Sequence, residues 1–304
     1  MKSIAALFSI AFLCAGVAAA GERATGQFKT EANLVLINAT VLDPHDHPVR
    51  GLTRDRFRLY EDRTEQTIAS VSEEEAPLSI VIVFDVSGSM KGKLGDMRVA
   101  LGAVLKSAHP QDQFALITFA DRPQTVIGWT SNSQEIQDRL LLAAGQGQTS
   151  LLDAIAMGAT ILKTALYPRR AMLIFSDGGD NHSQLTERQL MRSLEESDVQ
   201  IYAIDTAEAE TLRARPEEIA GPDLLDRICY HAGGRYFQAD RRRDIATAAE
   251  QVSRELHSQY LIGYVPSGNP SDGRFHHVRL EVAHPVGSPK VWVFWRRGYR
   301  VAGN

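Results

Sequence analysis

The segment IVIVFDVSGSMKGK, Ile80 to Lys93, places Asp85, Ser87 and Ser89 directly after a run of apolar residues. A buried strand has no need of its own for a carboxylate and two hydroxyls at its end. These oxygens therefore point to a phosphate loop, an activated nucleophile or a metal site. Spacing excludes the phosphate loop G-x-x-x-x-G-K-[ST], since Gly88 and Gly92 stand one residue too close and Leu94 follows Lys93. No G-x-G-x-x-G opens the following helix. A nucleophilic serine would sit in G-x-S-x-G or S-x-x-K, and neither pattern is present. An aspartyl-phosphate mechanism at Asp85 wants a second acid two residues on, where this chain has Ser87.

The metal reading gains support from two more segments. AMLIFSDGG puts Asp177 at the end of another apolar strand, and GQGQTSLLDAI puts Thr149 in a glycine-rich loop before a helix. Gathered at one edge, Asp85, Ser87, Ser89, Thr149 and Asp177 offer two carboxylates and three hydroxyls. Such an all-oxygen set suits a hard divalent cation, Mg²⁺ or alternatively Mn²⁺ or Ca²⁺. Two carboxylates roughly neutralise the ion and neutral hydroxyls leave it electrophilic, with a coordination position for a Glu or Asp carboxylate from a partner protein. Singly, each residue has a plainer use as a helix cap or turn residue; the ordered set carries the metal reading. Asp180 and Asn181, in SDGGDN, are read as supports of the site rather than ligands.

The elements that must position these groups follow from periodicity. From Leu78 to His257, apolar strands (SIVIVFD, FALITFA, TVIGW, AMLIFSD, VQIYAID) alternate with amphipathic, helix-length segments. This predicts a doubly wound, Rossmann-like α/β domain with a parallel sheet covered on both faces, its ligands at the carboxyl ends of the strands. On either side the period becomes two, as in NLVLINATVLD, FRLYED, SQYLIGYVP and RFHHVRLEVA. The expected division is a signal peptide at 1–20, an N-terminal β segment at 21–77, the α/β domain at 78–257, and a C-terminal β segment at 258–304. The first parallel strand starts, and the last helix ends, at the same edge of the sheet. The two β segments should therefore pair into one small module, a β-sandwich, with the α/β domain inserted between them.

The order D-x-S-x-S, then Thr149, then Asp177 resembles the metal-ion-dependent adhesion site (MIDAS) of von Willebrand factor type A (VWA) domains. The resemblance covers about Leu78 to His257. With GLTRDRFRLYEDRTEQTIASV before it and SQYLIGYVPSG, DGRFHHVRLEV and RRGYRV after it, the likeness extends to exported bacterial VWA-related proteins, from about residue 30 to the end. It implies a binding or adhesion module rather than an enzyme, in which the cation bridges to an acidic residue of a protein ligand. It also implies that ligand binding shifts the last helix, here about Asp244 to His257. Two alternatives stand beside it. One is a metal-assisted hydrolase with His182 as base; the other is an ion that only bolts the sheet edge together.

Composition bounds the rest. With 304 residues, 44% hydrophobic, 23% charged and a net charge of −4, the chain can bury a sizeable core and shows no bias toward nucleic acid. Arg241 to Arg243 read as a solvated helix start. MKSIAALFSIAFLCAGVAAA has the charged start, apolar stretch and Ala18-x-Ala20 ending of a secretory signal, so the protein is expected to be exported to the periplasm, cell surface or medium. No later run is long enough to span a bilayer. Cleavage would leave Cys229 as the sole cysteine, expected to be a buried small hydrophobe. His45 and His47 sit among Pro44, Asp46 and Pro48 and read as turn residues.

Overall fold

Period-two alternation on the flanks becomes antiparallel β structure: β1 (Val35–Leu42), β2 (Phe57–Glu61), β3 (Thr64–Gln66) and β4 (Ile68–Glu73). The α/β region follows. Its first half contains β5 (Ser79–Asp85), α1 (Leu94–Lys106), β6 (Gln113–Phe119), β7 (Pro123–Thr130), α2 (Ser133–Leu141) and α3 (Leu151–Leu162). Its second half contains β8 (Arg170–Phe175), α4 (Glu187–Glu195), β9 (Gln200–Asp205), α5 (Pro216–Ala232), β10 (Tyr236–Gln238) and α6 (Arg242–Leu256). Then come β11 (Gln259–Tyr264), β12 (Phe275–Val282), β13 (Trp292–Trp295) and β14 (Gly298–Arg300). The computed structural model describes residues 34–73, 76–205, 216–239, 242–268, 272–283 and 289–301. The N-terminal apolar run with Cys14, and the side chains of Arg241 to Arg243, lie outside the described residues.

A strand that is apolar throughout must be covered on both faces, and β5 is buried along its whole length. It lies inside a six-stranded sheet of order β10-β9-β8-β5-β6-β7. Leu101, Val104 and Leu105 of α1 pack on one face together with Ala249 and Val252 of α6. Ile155 of α3, Leu190 of α4 and Ile228 of α5 pack on the other. The sheet is mixed rather than wholly parallel, because β7 runs antiparallel to β6 at the edge. Only residues 120–122 separate these two strands, too few for a crossover helix, so the chain turns back as a hairpin. The three-residue β10 had no legible periodicity. Cys229 is fully buried among apolar neighbours and burial pushes its thiol well up, as expected of a small hydrophobe.

The flanks form two four-stranded sheets, β13-β1-β11-β4 and β14-β12-β2-β3. β1 pairs antiparallel with β11, and β2 with β12. Their inner faces share a core of Ile37, Leu59, Tyr260, Ile262 and Leu280. The final apolar run does not continue as one strand. It breaks at Arg296 and Arg297, so β13 and β14 join different sheets. In the first turn, Asp43 Oδ1 accepts the backbone N–H groups of His45 and His47 at 2.8 and 2.9 Å, the turn chemistry expected of that segment.

Both crossings between the β module and the α/β region meet at one side chain. Buried Arg169 donates through Nη1 to Ala76 O, before β5, and through Nη2 to Leu256 O, at the end of α6, each at 2.7 Å. The chain thus leaves and rejoins the module at one place, opposite in strand direction to the Asp85 end of β5.

Candidate metal centre

Asp85 is the last residue of β5 and is completely buried. The parallel register sets Phe84 beside Phe175, so Asp85 comes level with Ser176, whose hydroxyl donates to Asp85 Oδ2 at 2.6 Å. Asp85 Oδ1 accepts the Ser87 N–H at 2.8 Å. Ser87 Oγ and Ser89 Oγ lie 3.2 Å apart. The first loop is zipped to the loop before α3, with Gly88 N donating to Gly147 O at 3.0 Å and Gln146 N to Val86 O at 2.9 Å. That loop is in turn zipped to the one after β8. Thr149 N donates to Asn181 Oδ1 at 2.9 Å, while Thr149 O accepts the N–H groups of Asn181 and His182 at 3.0 Å each.

Three loops are therefore held together, mostly by backbone hydrogen bonds, with the Asn181 side chain adding one more. Between them lies a cavity of about 340 Å³ whose walls include Ser89, Thr149, Asp177, Asn181, Glu217 and Glu218. Asp177 is 4% exposed and Asp85 fully buried. Burial, and then the charge of Asp177, push the Asp85 carboxyl up to about 7 despite its hydrogen bonds from Ser176 and Ser87. Asp177 Oδ2 accepts Lys93 Nζ at 3.0 Å, whereas the buried Asp177 Oδ1 has no hydrogen-bond partner. Buried carboxylate oxygens are normally satisfied, so this one marks a deficit of positive charge. The residues present fit a divalent cation: two buried carboxylates in mutual repulsion, an unsatisfied oxygen, and hydroxyls beside them.

Sequence reasoning missed Lys93 and the two glutamates. Lys93 stands at the N-cap of α1, where a cation opposes the helix dipole, and only a facing anion makes sense of it. Glu217 and Glu218 arrive on α5, which starts at Pro216, ahead of the Gly221-Pro222 pair. The Gly221-Pro222 pair reads as a helix breaker, yet α5 runs through it because Gly221 is pressed onto the backbone beside Asp177. A Cβ at Gly221 would lie 2.6 Å from Gly178 C and 2.7 Å from Asp177 O. Gly178 itself has φ +79°, a conformation that side chains disfavour. Asp180 caps α3, accepting from Leu152 N at 3.3 Å and Ser183 Oγ at 2.6 Å. His182, the base of the hydrolytic alternative, is exposed and does not line the cavity.

Residues 80–179, which include all five candidate ligands, match the family model described as von Willebrand factor type A domain. This stretch of the α/β region carries the match to the VWA family. Among curated proteins, the chain is 28% identical over 132 residues to inter-alpha-trypsin inhibitor heavy chain H4 of Sus scrofa, covering 40% of this chain and 14% of the relative. It is 35% identical over 95 residues to the Bos taurus H4 chain, covering 29% and 10%. The match thus spans a small fraction of those relatives. Among solved structures, a D319A mutant of the PilB minor pilin from Streptococcus sanguinis aligns with TM-score 0.50 at 11% identity, covering 60% of this chain and 61% of that one. At that identity the likeness speaks for the fold alone.

Proposed function

We propose that this chain is an exported, non-catalytic binding protein. Its VWA domain, about 78–257, holds a divalent cation through Asp85, Ser87, Ser89, Thr149 and Asp177, and is carried on the β module formed by 21–77 and 258–304. When bound, the cation, taken as Mg²⁺, supplies an electrophilic coordination position for a Glu or Asp carboxylate of a partner protein. Asp85 and Asp177 provide the countercharge. Ser87, Ser89 and Thr149 provide neutral oxygens, and the interlocked loops keep the donors in place without rearrangement. The observation that carries this reading is the buried Asp177 Oδ1 without a partner, across from a second buried carboxylate. That pair is unfavourable by itself and favourable around a cation.

The test is calorimetric titration of EDTA-stripped protein with Mg²⁺ and Mn²⁺, followed by envelope pull-downs with and without the ion. The parent should take up one ion per chain, and Asp85→Ala should take up none while keeping its circular dichroism spectrum. Equal ion uptake by parent and Asp85→Ala would refute the site.

A further inference from the structure

A second recess, of about 1200 Å³, lies between the C-terminal end of α5 and the outward face of β2 and β12. Nothing in the VWA reading uses it. Its chemistry is arginine set among aromatic rings. The Arg297 guanidinium is sandwiched between Tyr230, 4.0 Å from its ring centre, and Trp295, 3.9 Å away. Arg279 lies 4.0 Å over Tyr60. Tyr230 remains 58% exposed at the recess.

The arginines there are not equivalent. Arg227 is bound by Glu187, Arg274 by Asp272 and Arg279 by Glu281. Arg297 and Arg63 pair with no carboxylate of the described residues. Arg297 Nε is buried without a hydrogen-bond partner, and burial draws its guanidinium below the usual arginine range. A half-buried guanidinium held only by ring faces is left short of an anion. Arg63 stands out for another reason. It follows Asp62 in the two-residue connection between β2 and β3, with φ 45° at Asp62 and 75° at Arg63. Such hairpin turns call for Asn-Gly or Asp-Gly. An arginine in the glycine place carries a backbone cost, and its side chain lines the recess.

We propose that this recess is a second ligand site, taking a small polyanion built on a flat ring: carboxylate or phosphate groups to meet Arg297 and Arg63, and a ring to lie against the aromatic side chains. Guanidinium forks match both anions, and the walls accept a planar face. The site does not depend on the cation site.

The experiment is calorimetry in EDTA with benzene-1,3,5-tricarboxylate and adenosine monophosphate as probes, and citrate and benzyl alcohol as controls. At least one ring-bearing anion should bind saturably, about tenfold or more tighter than either control. Which one does so separates a carboxylate source from a phosphate source. Arg297→Lys should weaken that probe by about tenfold, because a point charge cannot replace the stacked fork. Arg63→Gly should weaken it by about threefold or more while the melting temperature stays level or rises, since glycine relieves the turn; this variant keeps the test independent of folding damage at Arg297. Asp85→Ala should bind the probe like the parent. Absence of saturable binding by both ring-bearing anions at millimolar concentration, or full affinity in Arg63→Gly, would overturn the proposal.

Discussion

Asp85 shows how a single buried group can tie stability, pH and cation binding together. In cation-free protein its carboxyl titrates near 7, against 3.8 in the unfolded chain. The unfolded chain therefore releases the proton first, and folding is penalised increasingly as pH rises from about 4 to about 7. Melts in EDTA are expected to show stability falling across that window. Asp85→Asn, which keeps hydrogen-bonding groups facing Ser87 and Ser176, should exceed the parent at about pH 8 by on the order of 2–4 kcal/mol. With saturating Mg²⁺ the order should reverse. Lys93 gives a complementary expectation. Its ammonium sits on Asp177 Oδ2 at 3.0 Å, where it competes with any other cation for that oxygen. Lys93→Met should bind Mg²⁺ roughly three- to tenfold more tightly by calorimetry. The ion-free variant should lose about 1–3 kcal/mol of stability, because Asp177 is then left buried without its ammonium. Unchanged affinity would mean that the lysine leaves the site freely.

At the level of elements, the contact that seats α5 is backbone against backbone. A methyl group at Gly221 would press on Gly178 and on the carbonyl of Asp177, and neither can move aside like a side-chain tip. Gly221→Ala is expected to cost about 2 kcal/mol or more in chemical denaturation and to weaken Mg²⁺ uptake by displacing the Asp177 loop. A variant with parental stability and uptake would show that α5 is not fixed there. The same contact explains the limits of reading this site in sequence. Asp85 and Asp177 announce themselves because an apolar run breaks abruptly into oxygen-bearing residues, and strand ends are where a doubly wound sheet gathers them. Thr149 is legible for a related reason, as a hydroxyl in a glycine-rich loop ahead of a helix. Lys93 is not, since only the reach of its side chain brings it to Asp177. Nor are Glu217 and Glu218, because local propensity argues against a helix through Gly221-Pro222 and tertiary packing overrides it. The antiparallel β7 was visible as a strand but not in direction, which depended on the short 120–122 connection rather than on its own residues.

At the scale of the molecule, the described residues build two core systems that share no residue. One fills both faces of the central sheet and the other fills the sandwich. Hydrophobic burial within each alone would let them unfold separately, so their cooperation rests on the junction, where ion pairs such as Arg300 to Glu195 stand beside ring contacts such as His231 on Phe275. Arg169, 7% exposed, holds Ala76 O and Leu256 O in one grip. Arg235, just before β10, reaches Glu255 of α6 at 2.5 Å and Asp46 of the β module at 3.2 Å. Burial lifts the Glu255 carboxyl to about 7 even against the Arg235 charge. That clamp therefore costs folding free energy as pH rises from the usual carboxylate range toward 7, while the Arg169 clamp, made to neutral carbonyls, has no such dependence. Arg169→Ala removes a charged donor from two buried acceptors and should cost about 2–4 kcal/mol. The more telling expectation is its form in scanning calorimetry. The parent should melt in one transition and Arg169→Ala in two, because the junction then rests on outer contacts such as Arg235 to Asp46 and Arg300 to Glu195. A single transition in the variant would mean that the other junction contacts are enough to couple the two cores.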